Sequence, residues 1–367
     1  MVALKIHMAR QVSREEKHDK TDSYLANDMK TPRARLLRIV VVVSVFLVVL
    51  AGLALGAMAF WANTPIRMQG SPVELTVKAG DGLGQTIAAV HAAGIQVSPA
   101  PLKLLARQMA VGKRIKPGAY LFQDPLTPRS LLTRLERGDV IQVDFGFPEG
   151  WTFRQIRERL NAHPGLRHDT LGASDAEIMR LIGAEGAMPE GLFFPDTYRA
   201  DKGASDIVVL RAAYLAMKAQ IDEAWRNRDP ATPLRTPNEA LILASIVEKE
   251  SGRPEDRPLV ASVFANRLRI GMRLQTDPTV IYGLGESFDG NLRKRDLLAD
   301  TPYNTYTRAG LPPGPISMPG RDSLMAAARP PASKMLYFVA RGDGSSEFSP
   351  SLEAHNRAVN KYQLGGR

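Results

Sequence analysis

Three short polar runs have the residue types and spacing for chemistry. The first is Glu248-Lys249-Glu250, which closes an apolar stretch from Ala240 to Val247. At 100° per residue, Glu250 falls over Leu243, Ile246 and Val247, and Glu248 falls beside Ala244 and Ser245. A carboxyl on an apolar stripe at a helix C-terminus is disfavoured as an anion twice, by desolvation and by the helix dipole. Its pKa should rise, which suits a general acid working near neutral pH. The competing reading is a Glu250 that frays outward or pairs with Arg253 or Lys249. The second run, Gln275-Thr276-Asp277 before Pro278, reads as a loop held for its side chains. The third is Tyr303-Asn304-Thr305-Tyr306, ahead of a proline-rich turn, Gly310–Ile316, that would form a rigid wall. Tyr and Asn combine flat faces with hydrogen-bonding tips and suit sugar rings; each run also reads as ordinary turn and packing.

Redox and metal chemistry find little support. The chain has no cysteine, which excludes disulfides, thiolate zinc sites and cysteine nucleophiles. Its six histidines have no metal-ligand spacing, so neither a metal nor a cofactor is expected.

The elements that must position these runs follow from local signals. Thr236, Pro237 and Glu239 have the order of a helix N-cap, first position and capping-box partner, and Gly252 reads as the C′ residue. Between them lies a helix apolar on nearly every side, hence buried. Leu259, Val263 and Leu268 give another helix, stopped at Gly271. Upstream, Pro189-Glu190-Gly191 through Tyr198 reads as an aromatic-rich loop flanked by acids. Helices are expected over 153–160, 173–182 and 204–227. Before those, a strand at 73–77, two helices and a turn and strand over 116–122 give a strand–helix–helix–strand order like that of a LysM-like carbohydrate-binding module.

One segment departs from an otherwise ordinary globular composition, 44% hydrophobic and 23% charged. Ile39 to Trp61 is almost wholly apolar and uncharged. As a helix it would span about 35 Å, enough to cross a bilayer. Nine Lys or Arg precede it against five acids, with Arg33, Arg35 and Arg38 crowding its edge, which puts the N-terminus in the cytoplasm. An uncleaved anchor is favoured over a signal peptide because the stretch exceeds an ordinary h-region. Of the net charge of +10, +6 lies after this segment. With that part outside the cytoplasm and no aromatic-plus-basic motif in it, nucleic acid is not an expected partner.

Taken in order, the runs 243–250, 261–268, 271–283, 303–306 and 310–316 resemble the MltG (YceG-like) endolytic murein transglycosylases. Glu190-Gly191 with Phe194-Pro195-Asp196-Thr197-Tyr198 is similar to another motif of that family. Leu336–Ala340 and His355-Asn356 are similar to its closing strand and helix. The likeness extends from about Val73 to Tyr362. It implies a bacterial inner-membrane enzyme, anchored through residues 39–61, with its catalytic domain in the periplasm. Such an enzyme would cleave the MurNAc-β-1,4-GlcNAc bond within nascent peptidoglycan strands and leave 1,6-anhydroMurNAc ends. It also implies peptidoglycan synthases or penicillin-binding proteins as partners, and it assigns the catalytic glutamate to Glu250.

The resulting expectation is an α+β protein. It has a cytoplasmic extension (1–38), a transmembrane helix (39–61), a linker (62–72), a LysM-like subdomain (73–145) and a mixed α/β catalytic domain (146–367). The catalytic glutamate ends a buried helix, and Gln275, Thr276, Asp277, Asn304, Tyr306 and Glu190 contact substrate. Two other readings remain open. A lysozyme-like muramidase would need a second carboxylate, for which Asp277 is the candidate. A non-catalytic wall-binding membrane protein would use only the anchor and the LysM-like module.

Overall fold

A computed structural model describes residues 32–365. The fold is mixed α+β, and the chain divides into two compact units between Asp139 and Val140.

The first unit opens with helix α1 (Pro32–Asn63), whose stretch Arg35–Asn63 is long and apolar enough to cross a membrane. The basic residues before position 32 lie outside the described residues. The end of α1 is not free: Ala62 is fully buried, and the Ile66 amide donates to the Leu126 carbonyl at 2.6 Å. Strand β1 (Arg67–Met68) then pairs with β3 (Ile95–Gln96). Residues expected as a linker are thus built into the unit, because apolar Ala62 and Ile66 are buried rather than left in solvent. Strand β2 (Val73–Val77) alternates buried and exposed positions, as its sequence requires, and pairs antiparallel with β4 (Gly118–Phe122). Helices α2 (Leu83–Ala92) and α3 (Pro99–Gln108) lie between them in sequence, and α4 (Pro128–Arg137) follows. Thr127 caps α4 and Gly138 ends it in the left-handed region, at φ 76°. Leu75, Ile95, Leu105, Phe122 and Leu131 form the buried interior.

The second unit begins with β5 (Gln142–Gly146), paired antiparallel with β6 (Thr197–Asp201). The boundary expected at 145/146 therefore falls inside β5, and the end of the aromatic-rich loop is strand, because Tyr198 pairs with Phe145. Helices α5 (Phe153–Asn161) and α6 (Asp175–Leu181) pack with these strands into one core, where Phe153 stacks on Phe193 at 4.9 Å. Helix α7 (Asp206–Arg226) crosses from that core to a second one: Val209 and Ala213 belong to the first, Met217 and Ala224 to the second.

The second core surrounds α8 (Pro237–Glu250), in which every residue from Ala240 to Glu248 is buried. Around it pack α7, α9 (Arg257–Arg269), α10 (Asp277–Leu284) and α12 (Arg321–Ala328), with α11 (Lys294–Leu298) in the connection between the last two. That enclosure is the reason α8 is apolar all round. Its start uses the expected residues in a modified way. The Thr236 hydroxyl accepts from the Glu239 amide, but Glu239 reaches past the cap to the Arg235 amide at 2.5 Å. Its end differs from expectation: Ser251 turns extended (φ −98°, ψ 107°) in place of a left-handed glycine cap. A hairpin of β7 (Tyr337–Ala340) and β8 (Ser346–Ser349) and helix α13 (Leu352–Tyr362) close the unit.

Candidate active site

Glu250, the last residue of α8, faces a cleft of about 410 Å³. The Thr276 hydroxyl donates to Glu250 Oε1. Burial of the carboxyl pushes its pKa up, and the nearby Asp277 charge adds to the rise. The Thr276 hydrogen bond and Arg267 oppose it, and burial prevails. The acid is thus poised toward its protonated form while a hydroxyl and a cation remain to stabilise the anion once it gives up its proton.

The loop that supplies Thr276 is held from behind. Gln275, which lines the cleft, has φ +50°, a left-handed conformation that costs a non-glycine residue on the order of 1–3 kcal/mol. Its amide donates to the Thr305 carbonyl at 3.2 Å, and the Thr276 amide donates to Thr305 Oγ1 at 3.1 Å. Thr279 joins them, 3.0 Å from Thr305 Oγ1, so three buried threonines lock the two polar runs together. Asp277 is the first residue of α10 rather than part of a loop, since Pro278 suits a first helical turn. Its carboxylate accepts from the Tyr306 hydroxyl at 2.6 Å, and burial beside that carboxylate pushes the phenol pKa up.

Gln275, Asp277 and Tyr306 therefore share the cleft with Glu250, and Thr276 sits beneath, bonded to it. Asn304 does not line this cleft. It is 1% exposed, and its amide donates to the carbonyls of Asp296, Leu297 and Ala299 while its oxygen accepts from the Tyr306 amide at 2.9 Å. Its side chain shapes the turn that presents Tyr306. The proline-rich turn is likewise not a wall of the cleft. Ser245 of α8 accepts from the Ile316 amide at 3.0 Å, and Pro315 packs where a Cβ on Gly191 would stand, 2.6 Å away. Gly191 also has φ +79°, so the Glu190-Gly191 pair needs its glycine twice over.

Other cleft residues come from far along the chain. Arg267 of α9 is 7% exposed, donates to the carbonyls of Leu336 (2.7 Å) and Leu274 (2.5 Å), and lies over the Tyr337 ring. Tyr337 stacks on His355 at 5.2 Å, and burial together with Arg267 holds the imidazole pKa below its ordinary value. Sequence reasoning assigned none of these a role, although Arg267, Tyr337 and His355 all stand in the runs that resemble the family, 261–268, 336–340 and 355–356.

The other glutamate of α8 has a different setting. Glu248 is more buried than Glu250 at the residue level, contrary to the stripe argument, because α8 is enclosed on every side. Its two oxygens are occupied, one by Arg257 at 2.8 Å and the other by the Gly320 amide at 2.9 Å. Glu149 also reaches Arg257 at 2.9 Å. This is a clamp between α8, α9 and the start of α12, with no open face.

Glu190 stands in a separate, larger cleft of about 790 Å³. It accepts from the Phe153 amide at 3.2 Å and the Tyr282 hydroxyl at 3.2 Å, and burial pushes its pKa up to about 7. Among the described residues no group of three or more His, Cys, Asp or Glu side chains could hold a metal.

The chain matches the model of the YceG-like family over residues 75–361. It is 38% identical over 173 residues to an endolytic murein transglycosylase of Bacillus subtilis, covering 47% of this chain and 48% of that one. A second endolytic murein transglycosylase, from Streptococcus pneumoniae, is 28% identical over 282 residues, covering 68% and 51%. The chain thus spans about half the length of the curated relatives it matches. The crystal structure of a yceG-like protein from Listeria monocytogenes superposes with a TM-score of 0.50 at 28% identity, covering 78% of this chain and 98% of that one. With the motifs in one unit and the match running through both, the chain belongs to the YceG-like family.

Proposed function

We propose that this protein is an endolytic lytic transglycosylase that cuts the MurNAc-β-1,4-GlcNAc bond within nascent peptidoglycan and leaves 1,6-anhydroMurNAc ends. The observation that carries the reading is Glu250: one desolvated carboxyl with a raised pKa, in a cleft of polar side chains, bonded to a hydroxyl. An ordinary glycosidase divides the work between two carboxylates. Here one suffices, because the muramic C6 hydroxyl of the bound sugar is the nucleophile. Protonated Glu250 donates its proton to the glycosidic oxygen as the C1–O bond breaks. The resulting carboxylate accepts the C6 hydroxyl proton as that oxygen bonds to C1, and the acid is restored. Both reacting atoms belong to one sugar, so no second reactant has to be captured. Gln275, Asp277 and Tyr306 hold the sugar, Thr276 stabilises the Glu250 anion, and Asn304 acts by placing Tyr306.

The similarity of two curated relatives named endolytic murein transglycosylases supports the substrate. The apolar helix fits a membrane anchor. The positive charge before it supports an inner-membrane protein with a cytoplasmic extension (1–38) and a periplasmic catalytic domain. In the first unit, β2, α2, α3 and β4, with the two-residue β3 between the helices, keep the order of a LysM-like fold, which supports glycan binding there. Peptidoglycan synthases are the partners this placement favours.

The test is digestion of uncrosslinked glycan strands by the detergent-solubilised chain, beside Glu250→Gln, with product ends read by mass spectrometry. Anhydro ends from the wild type alone support the proposal. Reducing ends would overturn it in favour of a muramidase, with Asp277 as the second carboxylate. Intact strands with tight binding would leave a wall-binding protein.

A further inference from the structure

The Glu190 cleft is nearly twice the volume of the Glu250 cleft, and the chemistry proposed above makes no use of it. Its walls differ in kind. Phe153, Met188, Pro189, Ile281 and Phe288 supply an apolar lining, and Met188 is 72% exposed. Charges of both signs stand at its edge. Arg154 pairs with Glu286 at 3.2 Å and lies 3.9 Å from Glu158, and all three side chains are more than half exposed. Such pairs contribute little and exchange partners readily. Arg157 is more firmly held, by Asp175 and the Ala173 carbonyl, each at 2.8 Å.

Helix α10 relates this cleft to the other one. Asp277, at its start, lines the Glu250 cleft, while Ile281 and Tyr282 near its end line the Glu190 cleft. The four and five steps from Asp277 to Ile281 and Tyr282 place the two linings about 6–8 Å apart along the helix axis. A polymer whose scissile bond lies at Glu250 can therefore place a branch in the second cleft.

We infer that the Glu190 cleft binds the peptide stems of the glycan strand, an inference that rests on the peptidoglycan reading of the Glu250 site. A stem presents methyl groups alternating with amides and free carboxylates. The methyls match the Phe153, Met188 and Phe288 wall, and a carboxylate can displace Glu286 from Arg154. Glu190, at the floor, hydrogen-bonds a peptide amide. A bare sugar chain would use the polar Glu250 cleft and leave this apolar wall without a counterpart.

The experiment compares kcat/KM of the full chain in detergent on peptide-bearing strands and on the same strands stripped of peptide by an amidase. The wild type should prefer the peptide-bearing strands, and Arg154→Ala and Met188→Ala should each shrink that preference by about threefold to tenfold, chiefly through KM. Both positions are exposed, so the variants should fold; a melting curve checks this. An unchanged preference in both variants overturns the inference, as does an equal loss on both substrates, which would make the cleft a sugar subsite. A labelled stem pentapeptide titrated onto Glu250→Gln gives a second readout. Saturable binding weakened by Arg154→Ala supports the inference, and its absence overturns it. If the wild type makes no anhydro ends on either substrate, the function proposal fails while the titration still decides the cleft.

Discussion

Glu250 and Glu190 are the partly buried acids of two clefts in the same unit, and burial raises the pKa of both. Each accepts from one hydroxyl, Thr276 in one case and Tyr282 in the other. They differ in the backbone around them. Glu250 ends α8, where the helix dipole opposes an anion, and it receives no amide hydrogen bond among those described. Glu190 receives the amide of Phe153, the first residue of α5, where the dipole favours an anion. The amide also ties Glu190 into the structure. A raised pKa alone therefore does not identify a general acid. The role proposed for Glu250 rests instead on the polar cleft beside it and on its having no amide tie among the hydrogen bonds described.

The comparison can be broken in several ways. Glu250→Gln should lower the rate of anhydro-end formation by about 10³-fold with little change in melting temperature, since general acid–base catalysis contributes factors of 10² to 10⁴. Glu190→Gln should cost far less turnover on peptide-free strands; an equal loss would erase the distinction between the clefts.

The next largest effect belongs to Glu248, the other glutamate of α8. Arg257→Ala leaves it with only the Gly320 amide and should destabilise the second unit by about 3 kcal/mol, read by chemical denaturation. Thr276→Val and Glu250→Gln should leave stability within about 1 kcal/mol of wild type by the same measurement.

The pH dependence of stability sharpens the contrast further. Glu190 has a folded pKa of about 7 and an ordinary unfolded one, so the folded state holds the proton more tightly. Its contribution is full below the unfolded pKa and is lost as pH rises through the folded pKa of about 7, by roughly 3 kcal/mol in total. Glu190→Gln should flatten that part of the stability curve between pH 5 and pH 8. A curve unchanged by the substitution would remove Glu190 as its source.

The smallest expected effect concerns the pH profile of catalysis. The Thr276 hydroxyl lowers the Glu250 pKa, so Thr276→Val should raise it. Activity falls as the acid loses its proton, so the falling limb of kcat/KM should move to higher pH, with a rate loss of about tenfold. A limb that stays in place would mean that Thr276 only packs.

What was legible in the sequence is local. Thr236, Pro237 and the apolar run after them specify α8 because cap chemistry and periodicity act over one or two turns, and the strand expected at 73–77 is recovered residue for residue. Glu250 stands out because its neighbours in sequence are also its neighbours on the helix. The uncharged, almost wholly apolar stretch of 23 residues from Ile39 similarly determines a helix by itself. Which acid faces a cleft was settled only in three dimensions. Glu248 and Glu250 are two residues apart, and they differ because Arg257, Gly320 and Thr276 arrive from other elements. Asn304 looked like a sugar ligand by type, yet three carbonyls within eight residues claim its amide, a geometry that its spacing does not reveal. Arg267, Tyr337 and His355 meet across 70 and 88 residues of chain, and the Glu190 cleft joins α5 to α10. Caps and periodicity are set by contacts within a few residues. Clefts and pKa shifts depend on burial by distant segments, and that is decided only when the chain packs.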